Sequence, residues 1–135
     1  MEFLRAIPSL PVREIGQSIA FYRDQLGFSV AHAEGEFAIL KRDAVELHLW
    51  AARDEGWRQR SGPPVVSGAE SFIAGTASCR VGVAGIEELY RELAPRGILH
   101  SKGELRDQAW GDRDFAVVDP DNNLLTFFEP VRRNK

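Results

Sequence analysis

The stretch QAWGDRDFAVVDPDNNLLTFFEP, residues 108–130, predicts two strands joined by a tight turn. In the second strand, Leu125 and Phe127 point to one face and their neighbours to the other. The DPDNN turn predicts a hairpin, because proline presets one φ angle and asparagine tolerates the left-handed conformation. Neither the strands nor the turn explains Trp110, which stands with Gly111 in a polar surround before the first strand. Trp110 is therefore the first candidate for a functional residue.

Helix and strand patterns place the same unit twice in the chain. The segments REIGQSIAFYRDQLGF and GIEELYRELAPRGI each carry one apolar stripe at helical spacing. The stripe residues are Ile15, Ile19, Tyr22 and Leu26 in the first segment, and Ile86, Leu89, Tyr90 and Leu93 in the second. The predicted strands are Phe3–Ile7, Phe28–Ala33, Phe37–Lys41, Val45–Trp50, Ala77–Val83, Ile98–Lys102, Asp114–Val118 and Leu124–Glu129.

This order predicts an α+β fold of two βαβββ modules in a single domain. Module 1 covers about residues 1–50 and module 2 about residues 77–130. The loop between them, residues 51–76, is long for a connection without secondary structure, and such loops are often functional or disordered.

Composition excludes several classes of protein. The chain has 135 residues, 44% of them hydrophobic and 27% charged, which is ordinary for a globular domain. Its single cysteine, Cys79, rules out an internal disulfide and a cysteine-based metal cluster. The net charge of −3 argues against a nucleic-acid partner. With no signal-like segment and no bilayer-spanning apolar run, we expect no membrane association and a cytoplasmic location.

Strand alternation predicts a second, mixed sheet face in each module. In VELHLW, the residues Glu46, His48 and Trp50 point away from the apolar side. In SCRVGV the polar side carries Arg80, and in LLTFFE it carries Phe128. A solvated face rarely carries such aromatics and a packed core rarely accepts such charges. We interpret the mixed faces as a ligand cleft, the alternative being a wet face partly closed by a subunit interface.

Two motifs carry a resemblance to a known family. The segments SIAFYRDQLGF (residues 18–28) and WGDRDFAVVDPDNNLLTFFE (residues 110–129), within paired βαβββ modules, resemble the glyoxalase/bleomycin-resistance/dioxygenase superfamily, also called vicinal oxygen chelate proteins. The second motif is most similar to the bleomycin-resistance branch. The resemblance implies curled sheets that form a cup, and a homodimer that exchanges its N-terminal strand around a proline hinge. Pro8 and Pro11 stand where such a hinge is expected, and two ligand grooves are expected at the dimer interface.

Enzymes of this superfamily hold a divalent metal through four side chains. Spacing to the shared motifs places these positions at Ile7, at Glu46 or His48, near Ser78, and at Thr126. Isoleucine has no lone pair and neutral hydroxyls are weak donors, so we predict no metal, no cofactor and no catalytic residue. A metal-dependent lyase or dioxygenase, using Glu46 and His48, is the alternative. No Gly-x-Ser-x-Gly motif is present and Cys79 is predicted to face the core, so a hydrolase is poorly supported.

The resemblance therefore implies antibiotic resistance by binding and sequestration, without turnover. Bleomycin-type drugs carry a flat bithiazole and a cationic tail, and flat heteroaromatics stack on aromatic rings. We predict that Phe37 and Trp110 sandwich the planar group and that Gly111 allows close approach to the backbone. Arg113 is a candidate for ordering a carboxylate. The remaining predicted ligand residues are Glu46, His48 and Trp50 on the groove floor and Trp57 and Phe72 in the long loop. A different planar small molecule is the alternative ligand.

Overall fold

The structure, a computed structural model, describes residues 1–52 and 77–131. The first module contains β1 (Ser9–Val12), α1 (Ile15–Asp24), β2 (Ser29–Glu34), β3 (Phe37–Arg42) and β4 (Val45–Ala51). The second contains β5 (Ser78–Gly82), α2 (Ile86–Leu93), a single 3₁₀ turn (Ala94–Arg96), β6 (Arg106–Asp107), β7 (Asp112–Val118) and β8 (Leu124–Pro130). The predicted α+β class and βαβββ order are confirmed. Within the described ranges, neither helix is long and apolar enough to cross a bilayer.

Each module forms one four-stranded mixed sheet, and the two sheets share a topology. The strand order is β1-β4-β3-β2 in the first and β5-β8-β7-β6 in the second. The pairs β1–β4 and β5–β8 are parallel, and the other pairs are antiparallel. The first strand of each module thus lies beside its last strand, which makes β4 equivalent to β8 and β1 equivalent to β5.

One buried cluster joins the two modules. Leu47 and Leu49 of β4 and Leu125 of β8 are fully buried, as their alternation predicts, and they belong to the same cluster as Tyr22 and Phe115. The opposite faces of β4 and β8 are therefore left outside this core. Truncating one such leucine to alanine typically costs about 2–5 kcal/mol.

The DPDNN turn is a structural tie as well as a hairpin. Asn122 adopts a φ of 70°, the left-handed conformation expected of it. The buried Asp119 accepts hydrogen bonds from the backbone N–H of Asn123 (2.9 Å) and from the Tyr22 hydroxyl of the first module (2.9 Å). The Asn123 side-chain amide donates to the Pro11 carbonyl (2.8 Å). Burial, followed by the charge of Asp119, raises the pKa of Tyr22 well above its usual value, so this hydroxyl stays a donor.

Two predicted strands are wrong. The strand predicted at Phe3–Ile7 lies instead at Ser9–Val12, where the chain finds β4 as its partner. The segment Ile98–Lys102 forms only a single bridge, between Leu99 and Val117, and the strand beside β7 is β6. The physical reason is a tight turn in this segment, closed by the bond from Gly103 N–H to the His100 carbonyl (2.8 Å). Ala116 of β7 pairs with both ends of the turn, accepting from His100 N–H and donating to the Gly103 carbonyl (both 3.0 Å), so the residues between them leave the ladder.

Candidate functional site

The mixed side of β3 and β4 brings four predicted ligand residues together. Phe37 stands opposite Trp50 in the strand register, and His48 and Glu46 follow on the same side of β4. The Phe37 ring meets the His48 ring edge-on at 5.2 Å between centroids. We call these four residues, Phe37, Glu46, His48 and Trp50, the first-module face. All four are partly buried, as expected of a surface that is neither core nor fully wet.

Glu46 is the charged centre of the first-module face. His48 Nε2 lies 2.7 Å from a Glu46 carboxylate oxygen, and is the donor because an ionised carboxylate only accepts. Arg5 and Lys41 place nitrogens 3.5 and 3.7 Å from the other oxygen. The hydrogen bond from His48 is the main cause that lowers the pKa of Glu46, and the positive charges of Arg5 and Lys41 add to it. Glu46 is therefore ionised at neutral pH and already paired with cations of its own chain.

The second module presents an exposed indole on a hydrogen-bonded support. Trp110 is 66% exposed, and its Nε1–H donates to Asp112 Oδ2 at 3.0 Å. Arg80 Nη2 donates to the same oxygen at 3.1 Å. The Arg80 guanidinium carbon lies 4.6 Å from the Phe128 ring centroid, within cation–π range. We call these four residues, Arg80, Trp110, Asp112 and Phe128, the second-module face.

Gly111 shapes the turn that presents Trp110. Its φ of 102° is a conformation that side chains rarely adopt, so glycine is required for the backbone itself. The turn is closed by bonds from Gly111 N–H to the Gln108 carbonyl (3.1 Å) and from Val131 N–H to the Gly111 carbonyl (2.8 Å). A Cβ at Gly111 would meet no atom within 4 Å, so the space beside it is open. Close approach by a ligand there stays a prediction.

The structure places Arg113 on the other side of β7. It alternates with Asp112 and shares the side of the buried Phe115, not that of the indole. Its guanidinium binds Asp107 (Nε to Oδ1, 2.7 Å) and Glu87, and these bonds lower the pKa of Asp107 and raise that of Arg113. Arg113 thus orders the carboxylates of Asp107 and Glu87, and a contact between Arg113 and a ligand stays a prediction. Beside the indole, the cation that donates to a carboxylate is Arg80, through its bond to Asp112. Strand parity already placed Arg80 on the mixed side.

The two prolines predicted as a hinge have different environments. Pro8 directly precedes β1, and its carbonyl accepts the His48 N–H at 3.0 Å. Pro11 is a buried residue inside β1, and a hinge at either proline stays a prediction. Before Pro8, the side chains of Phe3 and Leu4 are 97% and 82% exposed. We call residues 1–7 the N-terminal arm.

Two predicted ligand residues lie outside the described part of the chain, and a cavity between the modules lies apart from the predicted ligand residues. Trp57 and Phe72 lie outside the described residues, so their roles stay predictions. A cavity of about 470 Å³ opens between the modules, with Leu26 on one wall and Leu89 on the other. None of its described lining residues is a predicted ligand residue. This cavity and the two mixed faces are therefore different sites.

The side chains at three of the superfamily's four metal positions do not fit a divalent ion. In the β5–β8 register, Thr126 stands beside Arg80, a cation, while Ser78 stands beside Leu124. Ile7 has no donor atom. Across residues 1–52 and 77–131, no group of three or more histidine, cysteine or acidic side chains is arranged to hold a metal. Burial raises the pKa of the Cys79 thiol to about 11, so it is not a thiolate nucleophile at neutral pH.

Comparison with known proteins gives consistent relatives. Residues 6–127 match the model of the Glyoxalase/Bleomycin resistance protein/Dioxygenase superfamily. A bleomycin resistance protein of Geobacillus stearothermophilus is 58% identical over 130 residues, covering 96% of this chain and 98% of the relative. One of Klebsiella pneumoniae is 29% identical over 131 residues, covering 93% of this chain and 91% of its own length.

Solved structures agree with the sequence comparison. The crystal structure of a bleomycin resistance determinant encoded on the transposon Tn5 superposes with a TM-score of 0.70 at 26% identity, covering 95% of this chain and 98% of that one. A bleomycin-binding protein complexed with bleomycin superposes with a TM-score of 0.67 at 28% identity, covering 94% and 98%. The resemblance drawn from the two sequence motifs is thereby confirmed. The chain belongs to the glyoxalase/bleomycin resistance protein/dioxygenase superfamily.

Proposed function

We propose that this chain binds bleomycin-type glycopeptide drugs and confers resistance by sequestering them without turnover. The observation that carries the proposal is the indole of Trp110, 66% exposed and held at its N–H by Asp112. A large exposed ring with a fixed polar edge offers its faces to a planar guest. The 58% identical relatives that carry the name bleomycin resistance protein support the choice of drug.

Stacking supplies the main attraction. The bithiazole lies between the Trp110 indole and the Phe37 ring, each contributing about 0.5–1.5 kcal/mol beyond the apolar area that it buries. Glu46 and Asp112 already accept hydrogen bonds from histidine or arginine of their own chain. The cationic tail of the drug competes with these partners, so its charge adds little, and affinity depends only weakly on salt.

The groove lies between two copies of the chain. The first-module face of one protomer stands opposite the second-module face of its partner, so Phe37 and Trp110 of each groove come from different protomers. The N-terminal arm supports this arrangement, because Phe3 and Leu4 find no cover among the described residues of their own chain and a partner surface can bury them. Pro8 is the hinge from which the arm crosses to the partner.

Sequestration follows from the absence of suitable chemistry at the site. Ile7, Thr126 and a residue near Ser78 stand at three of the four positions where the superfamily's enzymes carry metal donors. Drug protection then depends on affinity and copy number, because each groove holds one drug molecule and releases it unchanged.

Calorimetric titration with metal-free bleomycin tests the proposal. We expect saturable binding of about one drug per chain, with the drug recovered intact by mass spectrometry. Trp110→Ala weakens binding about tenfold or more, whereas Asp24→Ala, an exposed substitution on α1 away from both faces, leaves it unchanged. No binding at micromolar drug would rule the proposal out, and another planar ligand would then be sought. Stoichiometric bound metal lost with His48→Ala would favour the lyase or dioxygenase alternative.

A further inference from the structure

Asp112 receives two donors at one oxygen atom. Trp110 Nε1–H and Arg80 Nη2 donate to Oδ2 from 3.0 and 3.1 Å, and they come from different segments, the turn before β7 and strand β5. The Asp112 side chain is 20% exposed, while its two donor side chains stand at the surface. The contact joins a solvent-exposed ring to the regular part of the sheet.

Arg80 is itself held in place by the ring on which it packs. Its guanidinium packs over the Phe128 ring at 4.6 Å. That ring in turn lies against Gly82, where an added Cβ would come within 3.3 Å of the ring atom Cζ. Gly82 of β5 and Phe128 of β8 are paired in the strand register, so the strand pairing fixes the position of Phe128. The contacts thus run from Phe128 to Arg80, to Asp112 and to Trp110.

An indole on an exposed turn otherwise samples several rotamers. A ligand that stacks on a mobile ring must order it, which costs free energy on binding, whereas a ring already held in the stacking orientation avoids that cost. We propose that Asp112 is a positioning residue, which fixes the plane of the Trp110 indole for stacking, and that Arg80 and Phe128 hold Asp112 in place. This inference rests on the proposed function and adds how its central side chain is preorganised.

The inference differs from direct recognition of the drug by Asp112. If Asp112 bound the cationic tail itself, its removal would weaken binding whether or not the indole were present. If it acts through the indole, its removal has no effect once the indole is gone. A double-mutant cycle separates the two roles.

The cycle compares Asp112→Ala, Trp110→Ala and the double variant in calorimetric titrations of metal-free bleomycin. We expect Asp112→Ala to raise Kd about 2- to 12-fold in the otherwise unaltered chain, the range that corresponds to ordering one side chain. In the Trp110→Ala background the same substitution leaves Kd unchanged. An equal loss in both backgrounds overturns the inference. Asp112→Asn keeps an oxygen acceptor and restores most of the affinity, which also covers the case in which Asp112→Ala fails to fold.

Asp107→Ala is the matched control. It removes another aspartate that accepts bonds from an arginine, at β6, but its partner Arg113 lies on the side of β7 away from the indole. Its Kd stays at the unaltered value. Arg80→Gln loosens Asp112 indirectly and gives a smaller loss than Asp112→Ala, again only when Trp110 is present.

A second readout needs no drug. In ¹⁵N-labelled free protein, Asp112→Ala shifts the indole N–H signal of Trp110, assigned by its loss in Trp110→Phe, and leaves the Trp50 signal in place. An unmoved Trp110 signal overturns the inference. If the unaltered chain binds no bleomycin, the proposed function fails, while the indole signal still decides whether Asp112 holds the ring.

Discussion

The two modules share the same strand order, but their mixed faces carry central charges of opposite sign. Strands β4 and β8 occupy the same place in their sheets, each beside a parallel first strand. On the first-module face a carboxylate, Glu46, is surrounded by Arg5, Lys41 and His48. On the second-module face a cation, Arg80, lies on an aromatic ring and supports an exposed indole.

The difference shows how one repeated strand order can carry two unlike sets of side chains. Within residues 1–52 and 77–131, neither mixed face gathers three or more donors for a metal ion, yet each contributes aromatic surface. The first-module face is half-buried and held by charge, and the second-module face is open and held by a network that ends at Trp110. In the proposed dimer, two copies of the chain bring one face of each kind together, and Phe37 of one protomer meets Trp110 of the other.

Removing the N-terminal arm is expected to have the largest effect on the pairing of the two faces. If Phe3 and Leu4 are buried against a partner, each contributes about 1.5–3 kcal/mol, so deletion of residues 1–7 raises the dimer dissociation constant by about 100-fold or more. Light scattering across a concentration series measures this constant. Arg23→Ala, in the exposed part of α1, is the control that leaves it unchanged. An unaltered dimer after deletion would show that the arm makes no exchange contact.

The second-largest effect is expected when the hydrogen bonds between Asp119 and the first module are removed. Asp119→Ala removes the acceptor for the Tyr22 hydroxyl and the Asn123 amide in a buried site, which lowers the free energy of unfolding by about 2–3 kcal/mol. Urea denaturation followed by circular dichroism measures the loss. Asn122→Gly, in the same turn at a φ of 70°, should stay within about 0.5 kcal/mol. A loss below 1 kcal/mol for Asp119→Ala would mean that the turn closes the hairpin without joining the modules.

The smallest expected effect is on the pH dependence of stability, to which Glu46 of the first-module face contributes. The folded-state pKa of Glu46 lies below its usual value of 4.5, mainly because His48 donates to it. A depressed carboxyl pKa stabilises the fold above the unfolded value and loses that contribution as the pH falls through the folded value. Glu46→Gln removes this contribution. The free energy of unfolding of the variant therefore differs less between pH 6 and about pH 3 than that of the unaltered chain. Thermal melting at several pH values measures it, and an unchanged profile would contradict the pairing of Glu46 with its cations.

Strand interiors could be predicted from the sequence where alternation is strong. Leu47 with Leu49, and Leu125 with Phe127, place the core side correctly, and the same parity assigns Glu46, His48 and Trp50 to the opposite side. The position of β1 could not be predicted, because an extended apolar pattern such as Phe3–Ile7 does not reveal where a partner strand begins. The network at Trp110 was missed for a similar reason, since its bond from Arg80 to Asp112 joins residues 32 positions apart.

The side of β7 on which Arg113 lies could have been predicted from the sequence. Arg113 stands two residues before Phe115, so strand parity places it on the core side and away from Trp110. The turn at Gly111 directly precedes this strand, so the sequence does not show at which residue the alternation of side chains begins. Arg80, on the mixed side by the same rule, is the cation that the structure brings to Asp112.

A defined heterodimer tests the central claim, that each groove takes Phe37 from one protomer and Trp110 from the other. One chain carries Phe37→Ala and a first affinity tag, the other carries Trp110→Ala and a second tag, and the doubly tagged dimer is titrated with metal-free bleomycin. One of its grooves lacks both rings and the other has both, so we predict about one site of unaltered affinity per dimer, while neither variant homodimer has any. A heterodimer in which every site is weakened would contradict the claim and place both rings in the same protomer.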